Sequence, residues 1–320
     1  MRRSIEKISL KGVAPGRLLR LKPDDPRVLD THALITVSTL LPPPEKIGEL
    51  EKHLEQLYLG NCVGNIKVCC LADHHGAPRP SMPEDKAALN AAVKAFERLN
   101  SKYGGGFILA VRRRTYSRTQ NEFTGKERKR GAITDLVAAI KGDGRAFACL
   151  HGDRVSLHKV KYLIALDSDT GLVFDGARLL VAAAEHPANR PIIDGGRVVK
   201  GYGIIAPAAE NRLDGGSSAF ARVMTGQSGF SSYDLARSER YQDLFGEGIF
   251  CGKGLISVDA YHAVIPGEFP EETVLSHDIL EGCLLRTAFM PEVQITDAFP
   301  QSVGSYFARE HRWIRGDWQN

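Results

Sequence analysis

The chain has 320 residues, of which 43% are hydrophobic and 25% are charged. This composition excludes a disordered or low-complexity protein and allows a substantial core without disulfides. The formal net charge of +4 is too small to indicate a nucleic-acid-binding protein by itself, and no apolar run approaches the roughly 18 residues that a membrane span needs. The six cysteines form no CxxC pair, so their spacing indicates neither a zinc site nor a redox motif.

Short β-branched apolar runs alternate with amphipathic helical patterns along the first half of the chain. The predicted strands are 33–41, 65–73, 106–114 and 161–169, and the predicted helices between them are 45–59, 86–103 and 127–142. This alternation predicts an α/β fold with a mostly parallel central sheet flanked by helices. The second half is richer in glycine and loops, with a further strand-like run at 255–260.

The domain organisation follows from the same pass along the chain. Residues 1–32 are polar and basic and are predicted to form an N-terminal arm. No internal repeat or linker divides the remainder, so 33–320 is interpreted as a single domain with an elaborated second half.

Acidic side chains end two of the predicted strands. Asp167 and Asp169 form a DxD triplet after the strand 161–169, and carboxylates at that spacing offer oxygen ligands to a Mg²⁺ or Mn²⁺ ion that binds phosphate. A capped strand end gives the same triplet by chance. Asp73 ends the strand 65–73, and at the same sheet edge it could hold a nucleotide. A turn or helix-capping acid is the alternative for Asp73.

The motif LSHDILEG at 275–282 places two acids at the start of a predicted helix. Asp278 comes first and Glu281 follows one turn later, so one of these carboxylates could act as a general base. A capping box with Ser276 as the N-cap explains the same residues structurally. The sequence pattern alone leaves both interpretations open.

An RxxRW pattern lies in the segment 308–319. Arg309 and Arg312 are three residues apart, so a helix would present both guanidinium groups on one face. Arginine forks suit a diphosphate, and the ring of Trp313 suits a sugar. A solvated basic face with an anchoring tryptophan is the alternative, although both tryptophans of the chain lie in this segment.

A basic run, KERKR at 126–130, precedes Gly131 at the beginning of a predicted helix. A helix N-terminus with adjacent cations suits a phosphate group. A nucleic-acid patch formed together with RRR at 112–114 is a competing interpretation, but no aromatic residue interleaves with 126–130. A solvated charged surface is the simplest alternative.

In this order, the elements resemble the processive inverting glycosyltransferases of the GT-A fold. They resemble more closely the glycosyltransferase region of bacterial cyclic β-1,2-glucan synthases, from about residue 33 to the end. The motifs that carry the resemblance are ERKRGA (127–132), LDSDT (166–170), HPANRP (186–191), VVKGYGI (198–204), YQDLFGEGIFCGKG (241–254), VDA (258–260), LSHDILEG (275–282) and HRWIRGDWQ (311–319). The resemblance implies a GT-A fold, with 33–170 as the nucleotide-binding half and 171–320 as the acceptor and catalytic half.

The resemblance also implies a role for each motif residue. Asp278 is expected to be the catalytic base. The expected donor contacts are Asp73, Arg130, Gly131, Asp167, Arg309 and Arg312, the expected acceptor contacts are Phe250, Gly252, Lys253 and Trp313, and the expected ligands of Mg²⁺ or Mn²⁺ are Asp169 and Asp167. In one departure, this chain has Val137 where related enzymes carry Asn.

The implied reaction is transfer of glucose from UDP-glucose to a growing β-1,2-glucan with inversion at the anomeric carbon. Asp278 would remove the proton of the acceptor 2-hydroxyl as UDP departs. One alternative is a catalytically silent nucleotide-sugar-binding fragment, and a second, less well supported, is a nucleic-acid-binding protein. A glycosidase with two carboxylates would leave the DxD triplet and the arginines unexplained, and no nucleic acid is expected as a partner.

The resemblance finally implies a setting. In related enzymes the helix that carries RWxRGDWQ leads towards membrane-spanning segments. The expected partners are therefore the other parts of a larger enzyme, with transmembrane segments and a phosphorylase-like module. The expected location is the cytoplasmic face of the bacterial inner membrane, for which a charge of +4 is compatible with anionic lipid.

Overall fold

A computed structural model describes residues 18–212, 217–225, 240–274 and 277–318. Most of the predicted N-terminal arm and the proposed N-cap Ser276 lie outside these residues. The strands are Ala33–Leu40 (β1), Ile66–Asp73 (β2), Phe107–Arg112 (β3), Thr115–Ser117 (β4), Glu122–Thr124 (β5), Phe147–His151 (β6), Tyr162–Asp167 (β7), Gly171–Leu172 (β8), Ile192–Asp194 (β9), Arg197–Lys200 (β10), Ile204–Arg212 (β11), Gly254–Ser257 (β12) and Thr287–Ala298 (β13). The helices are Pro26–Leu29 (α1), Ile47–Asn61 (α2), Pro83–Tyr103 (α3), Arg128–Ile140 (α4), Arg154–Leu157 (α5), Gly176–Ala184 (α6), Ala219–Met224 (α7), Arg240–Phe245 (α8), Val258–Val264 (α9), Asp278–Leu285 (α10) and Val303–Asp317 (α11), with short 3₁₀ turns at Pro44–Lys46 and Pro187–Asn189.

The central sheet of the described residues has the strand order β6-β3-β2-β1-β7-β12-β11-β13-β8. Strands β3, β2, β1 and β7 pair in parallel, and so do β11 and β13. Strand β12 lies antiparallel between β7 and β11, and β6 and β8 are antiparallel at the two edges. The predicted α/β class with a mostly parallel sheet is confirmed, and this architecture is consistent with the GT-A fold.

Helices cover both faces of the sheet, and consecutive residues of the central strands β1, β2 and β7 are accordingly buried on both sides. On one face, Leu54 of α2 and Phe96 of α3 belong to a buried cluster with alternate side chains of β1. On the other face, Leu136 of α4 and Tyr261 of α9 belong to a second cluster that includes Leu34 of β1. The helical spacing in 45–59 therefore identified a face that packs on the sheet.

Two predictions for the second half need correction. The run 255–260 is a strand only as far as Ser257, whose side chain caps helix α9 by accepting a hydrogen bond from the backbone N–H of Ala260. The longest strand, β13, is absent from the predicted elements. Its alternating burial at Val293 and Ile295 follows Pro291, and this proline obscured the strand pattern.

No helix in the described part of the chain combines the length and the apolar character needed to cross a membrane.

Candidate functional site

The two acidic strand ends meet at one edge of the sheet. Strand β1 separates them, because Leu40 of β1 pairs with Asp73 and Ser38 of β1 pairs with Asp167. The parallel order of β2, β1 and β7 therefore brings the donor-site candidates to the same edge, as the alternation of strands and helices predicted.

A buried arginine fixes Asp73. Arg112, the last residue of β3, is 2% exposed, and its Nε and Nη2 donate to the two carboxylate oxygens of Asp73 at 2.7 and 2.6 Å. The same guanidinium donates to Asp135 of α4 and to the backbone carbonyls of Lys126 and Arg128. Burial opposes the charge of Arg112, but the two carboxylates outweigh it and raise the pKa of Arg112. Asp73 is thus joined to the segment that leads into α4.

Two lysines bind Asp167. Lys129 Nζ donates to Oδ1 at 2.5 Å, and Lys253 Nζ lies 3.2 Å from Oδ2. Lys253 also pairs with Asp297 at the end of β13, and Lys129 also donates to the carbonyl of Gly252 at 2.7 Å. Burial disfavours ionisation of Asp167, but the two ammonium groups outweigh it and lower the pKa of this carboxyl.

The residues available to a metal ion are few. No group of three or more His, Cys, Asp or Glu side chains suited to a metal occurs in the described ranges. Asp169 is exposed, whereas both oxygens of Asp167 contact ammonium groups. Mg²⁺ is commonly held by one or two carboxylates together with substrate phosphates. The described residues therefore fit a divalent ion that is held by Asp169 together with the oxygens of a diphosphate. They do not supply a complete set of protein ligands for the ion.

Asp278, the candidate base, lies at the first turn of α10 against the loop that precedes β12. A methyl group on Gly252 would come within 2.7 Å of Asp278 Oδ2, so the carboxylate contacts the Gly252 backbone directly. The backbone of Gly252 has φ +78°, a conformation that glycine adopts without strain. Phe250, in the same loop, is 2% exposed and packs against Gly282 of α10. The loop and the helix that carries Asp278 therefore form one packed unit.

A second carboxyl group is buried behind Asp278. Glu281 is 3% exposed and accepts a hydrogen bond from Tyr261 Oη, which in turn lies 3.1 Å from Thr134 Oγ1 of α4. Burial, with a further contribution from the charge of Asp278, raises the pKa of Glu281 to about 8. At neutral pH most Glu281 side chains are accordingly protonated and carry no charge.

The entry into α4 is tightly packed. Glu127 and Arg128 both have positive φ angles, of 57° and 49°. A side chain at Gly131 would place its Cβ 2.0 Å from the carbonyl oxygen of Lys126. Arg130 pairs with Glu127 at 2.6 Å and lies over the ring of Phe269. Gly131 is required by close packing, and Arg130 faces the buried side of the site.

The two arginines of the RxxRW pattern, both on α11, have different surroundings. The guanidinium of Arg309 stacks on the rings of Phe299, Tyr306 and Trp313, at 5.0, 5.8 and 4.6 Å from their centroids. Arg312 instead lines a polar cleft of about 410 Å³ with the hairpin β4–β5, the entry to α4 and residues 272–274. Trp313 is 49% exposed, so one face of its ring is accessible.

Several of the basic residues that suggested nucleic-acid binding form ion pairs within the fold. In RRR (112–114), Arg112 pairs with Asp73 and Arg114 pairs with Asp85, and both side chains are buried. In KERKR (126–130), Lys129 and Arg130 pair with Asp167 and Glu127. Cations that are paired with carboxylates in this way interrupt the continuous basic surface that a phosphate backbone needs. The structure therefore disfavours the nucleic-acid hypothesis.

Comparison with known proteins supports the resemblance seen in the motifs. No protein-family model matches the chain. Cyclic β-(1,2)-glucan synthase NdvB of Rhizobium meliloti (strain 1021) is 36% identical over 313 residues. The chain is similar to one region of this synthase. The alignment covers 95% of the chain but only 11% of NdvB, and the predicted resemblance to this synthase is confirmed.

Three contributors to the site were not expected from the sequence: Arg112, Lys129 and Asp297. Arg112 ends a predicted strand beside Asp73, and Lys129 lies in the basic run, so both positions gave a usable signal. Asp297 could be found only through the pairing of β11 with β13. Val137, where the resemblance implied a departure from related enzymes, is 1% exposed on the buried face of α4.

Proposed function

We propose that the chain is the inverting glycosyltransferase region of a β-1,2-glucan synthase and that it moves glucose from UDP-glucose to a glucan acceptor. The 36% identity to NdvB supports a glycosyltransferase role. The observation that carries the proposal is the contact of Asp278 with Gly252, whose carbonyl is bound by the lysine that also binds Asp167. This chain of contacts joins the candidate base to the candidate donor site.

In the proposed reaction, Asp278 accepts the proton of the acceptor 2-hydroxyl as that oxygen attacks the anomeric carbon. The C1–O bond to UDP breaks on the opposite side, and the α-linked donor becomes a β-linked product. An ordinary Asp has a pKa of about 3.9 and is a weak base in water. In the proposed reaction, Asp278 is effective because it is positioned beside the acceptor hydroxyl. Protonated Glu281 avoids a second negative charge beside it.

The leaving UDP needs positive charge around its diphosphate. Arg312, which lines the cleft beside the entry to α4, is the cationic group that we assign to this task, with Asp73 and the entry to α4 around the nucleoside. Mg²⁺ or Mn²⁺, held by Asp169 and the diphosphate oxygens, would neutralise charge on the leaving group. Trp313 offers a ring face to an acceptor sugar.

The test is product analysis after incubation with UDP-glucose, Mg²⁺ or Mn²⁺ and a short β-1,2-glucan primer. Formation of a longer β-1,2-linked product is expected from the wild type. Asp278→Asn should lower transfer by about 10²- to 10⁴-fold, the usual worth of a general base, while UDP binding survives. Asp259→Asn, on the surface of α9, is the control. Wild-type turnover by Asp278→Asn would reject this base assignment.

A second candidate is a nucleotide-sugar-binding module without transfer activity. The observation in its favour is the 11% share of NdvB that the chain spans, since other parts of such an enzyme could be needed to hold an acceptor. Hydrolysis of UDP-glucose separates the two candidates, because a binding module releases no glucose.

The partners and location that we propose follow from the same similarity. We assign the chain to a larger membrane enzyme that works at the cytoplasmic face of a bacterial inner membrane. Co-purification of the full-length protein with inner-membrane vesicles, with this region sensitive to protease only from the cytoplasmic side, would test that location.

A further inference from the structure

Lys253 lies between two carboxylates from different strands. Its side chain is 16% exposed, and its ammonium contacts Asp167 at the end of β7 and Asp297 at the end of β13. Asp297 also accepts a hydrogen bond from Thr170 at 2.6 Å. The ammonium therefore occupies a position with two carboxylate groups around it, as a bound cation would.

Lys129 completes the neutralisation of Asp167. It binds Oδ1, while Lys253 is nearest to Oδ2, so each carboxylate oxygen already has a cationic partner. A divalent ion could bind Asp167 only by displacing an ammonium group. Asp169, two residues on, is exposed, and the ion pairs that Asp167 forms with described residues do not include it.

We propose that Lys253 is an internal cation of the donor site. Its ammonium group occupies a cation position between Asp167 and Asp297, and in the absence of the donor it prevents a divalent ion from binding at that position. This inference rests on the proposed function, because that function supplies the diphosphate donor. The diphosphate would bring its own divalent ion to Asp169. The divalent ion and the nucleotide then bind together, and the free protein has little affinity for the ion.

Lys253 also positions the base. It follows Gly252, whose carbonyl accepts from Lys129 and whose α-carbon contacts Asp278. An ammonium anchored on Asp167 and Asp297 holds this loop at the strand ends. Lys253 thus acts on Asp278 through the loop and is a positioning residue.

The test measures Mn²⁺ binding by electron paramagnetic resonance, with and without UDP. Lys253→Met leaves Asp297 without its ammonium partner and Asp167 with Lys129 alone, so its Mn²⁺ affinity without UDP should rise by about 10- to 100-fold, the range in which partners of ligands tune metal sites. Lys253→Arg keeps the charge and should keep the low Mn²⁺ affinity of the wild type without UDP. Lys141→Met is the matched control, because Lys141 forms a single surface ion pair with Asp259.

A second variant tests the inference independently if Lys253→Met does not fold. Lys253→Gln keeps a polar side chain without the charge, and it should show the same gain in Mn²⁺ affinity, whereas Lys253→Gln combined with Asp297→Asn should lose that gain. Folded Lys253→Met or Lys253→Gln with unchanged Mn²⁺ affinity would overturn the inference. If instead no variant and no wild-type protein binds UDP, the proposed function fails, and the Mn²⁺ titrations without UDP still decide the part played by Lys253.

Discussion

The α-carbon of Gly252 lies against the carboxylate of Asp278, with room for hydrogen but not for a methyl group. A Cβ there would sit 2.7 Å from Oδ2 and 3.0 Å from the carboxyl carbon. The loop before β12 therefore limits the position of the candidate base through one contact, between the Gly252 α-carbon and the Asp278 carboxylate.

Gly252→Ala should reduce transfer strongly, because Asp278 or the loop must move to admit the methyl group. A displacement of about 1 Å can cost about 10²-fold in rate, so we expect a loss of that order in kcat with UDP affinity largely kept. Steady-state kinetics and UDP calorimetry would show the split. Gly267→Ala is the matched control, since Gly267 also has a positive φ, of 85°, but nothing lies within 4 Å of its would-be Cβ. Equal loss in both variants would assign the effect to backbone strain.

UDP binding should depend on a divalent cation through Asp169. In calorimetry, removing Mg²⁺ or Mn²⁺ with a chelator is expected to weaken UDP binding, and Asp169→Asn should weaken it by about 10- to 100-fold in the presence of the ion. Asp194→Asn, at the exposed hairpin β9–β10, is a suitable control. Equal UDP affinity with and without the ion would contradict the metal assignment.

Glu281 predicts how stability changes with pH. Its folded pKa of about 8 lies above the unfolded value of about 4.3, so the folded protein holds more protons between these values and its stability falls as pH rises across that window. Glu281→Gln mimics the protonated form. Its unfolding free energy should exceed that of the wild type by an amount that grows from pH 4 to pH 8, up to a few kcal/mol.

Urea titrations at several pH values would measure this difference, and Glu268→Gln on the surface is the control. A constant difference between Glu281→Gln and the wild type across the window would show that Glu281 ionises normally in the folded protein.

Arg112→Lys should destabilise the fold, because lysine cannot reproduce the paired hydrogen bonds to Asp73 or the bonds to Asp135 and the two carbonyls. Breaking a buried ion pair typically costs about 3 kcal/mol or more, and thermal or urea unfolding would detect it. Arg113→Lys, an exposed neighbour in the same RRR motif, should change stability by less than about 0.5 kcal/mol. Similar stability of both variants would mean that Asp73 is held by other contacts.

From the sequence it could be predicted that Asp73 and Asp167 lie at the same edge of the sheet. The side chains that pair with them could not be predicted. Asp73 and Asp167 could be placed together because parallel strands share a carboxyl edge, and that rule needs only the alternation of elements. The partners of Asp167 are Lys129, 38 residues earlier, and Lys253, 86 residues later, and such pairings depend on strand order across the sheet. The separation of Arg309 from Arg312 has a partly similar cause, since Phe299 from outside α11 joins Tyr306 and Trp313 of the helix around the Arg309 guanidinium.

Strand β12 has a consequence for how the protein folds. It enters the sheet between β7 and β11, strands that precede it in the chain and would otherwise have no hydrogen-bonded link across that gap. The two residues that reach Asp278 and Asp167, Gly252 and Lys253, come immediately before it. The pairing of this four-residue strand with both neighbours therefore joins the two halves of the sheet and fixes the position of the loop that carries Gly252 and Lys253. A chain in which β12 has not paired has a divided sheet and no assembled site, so activity during refolding should appear only after β12 has paired with both β7 and β11.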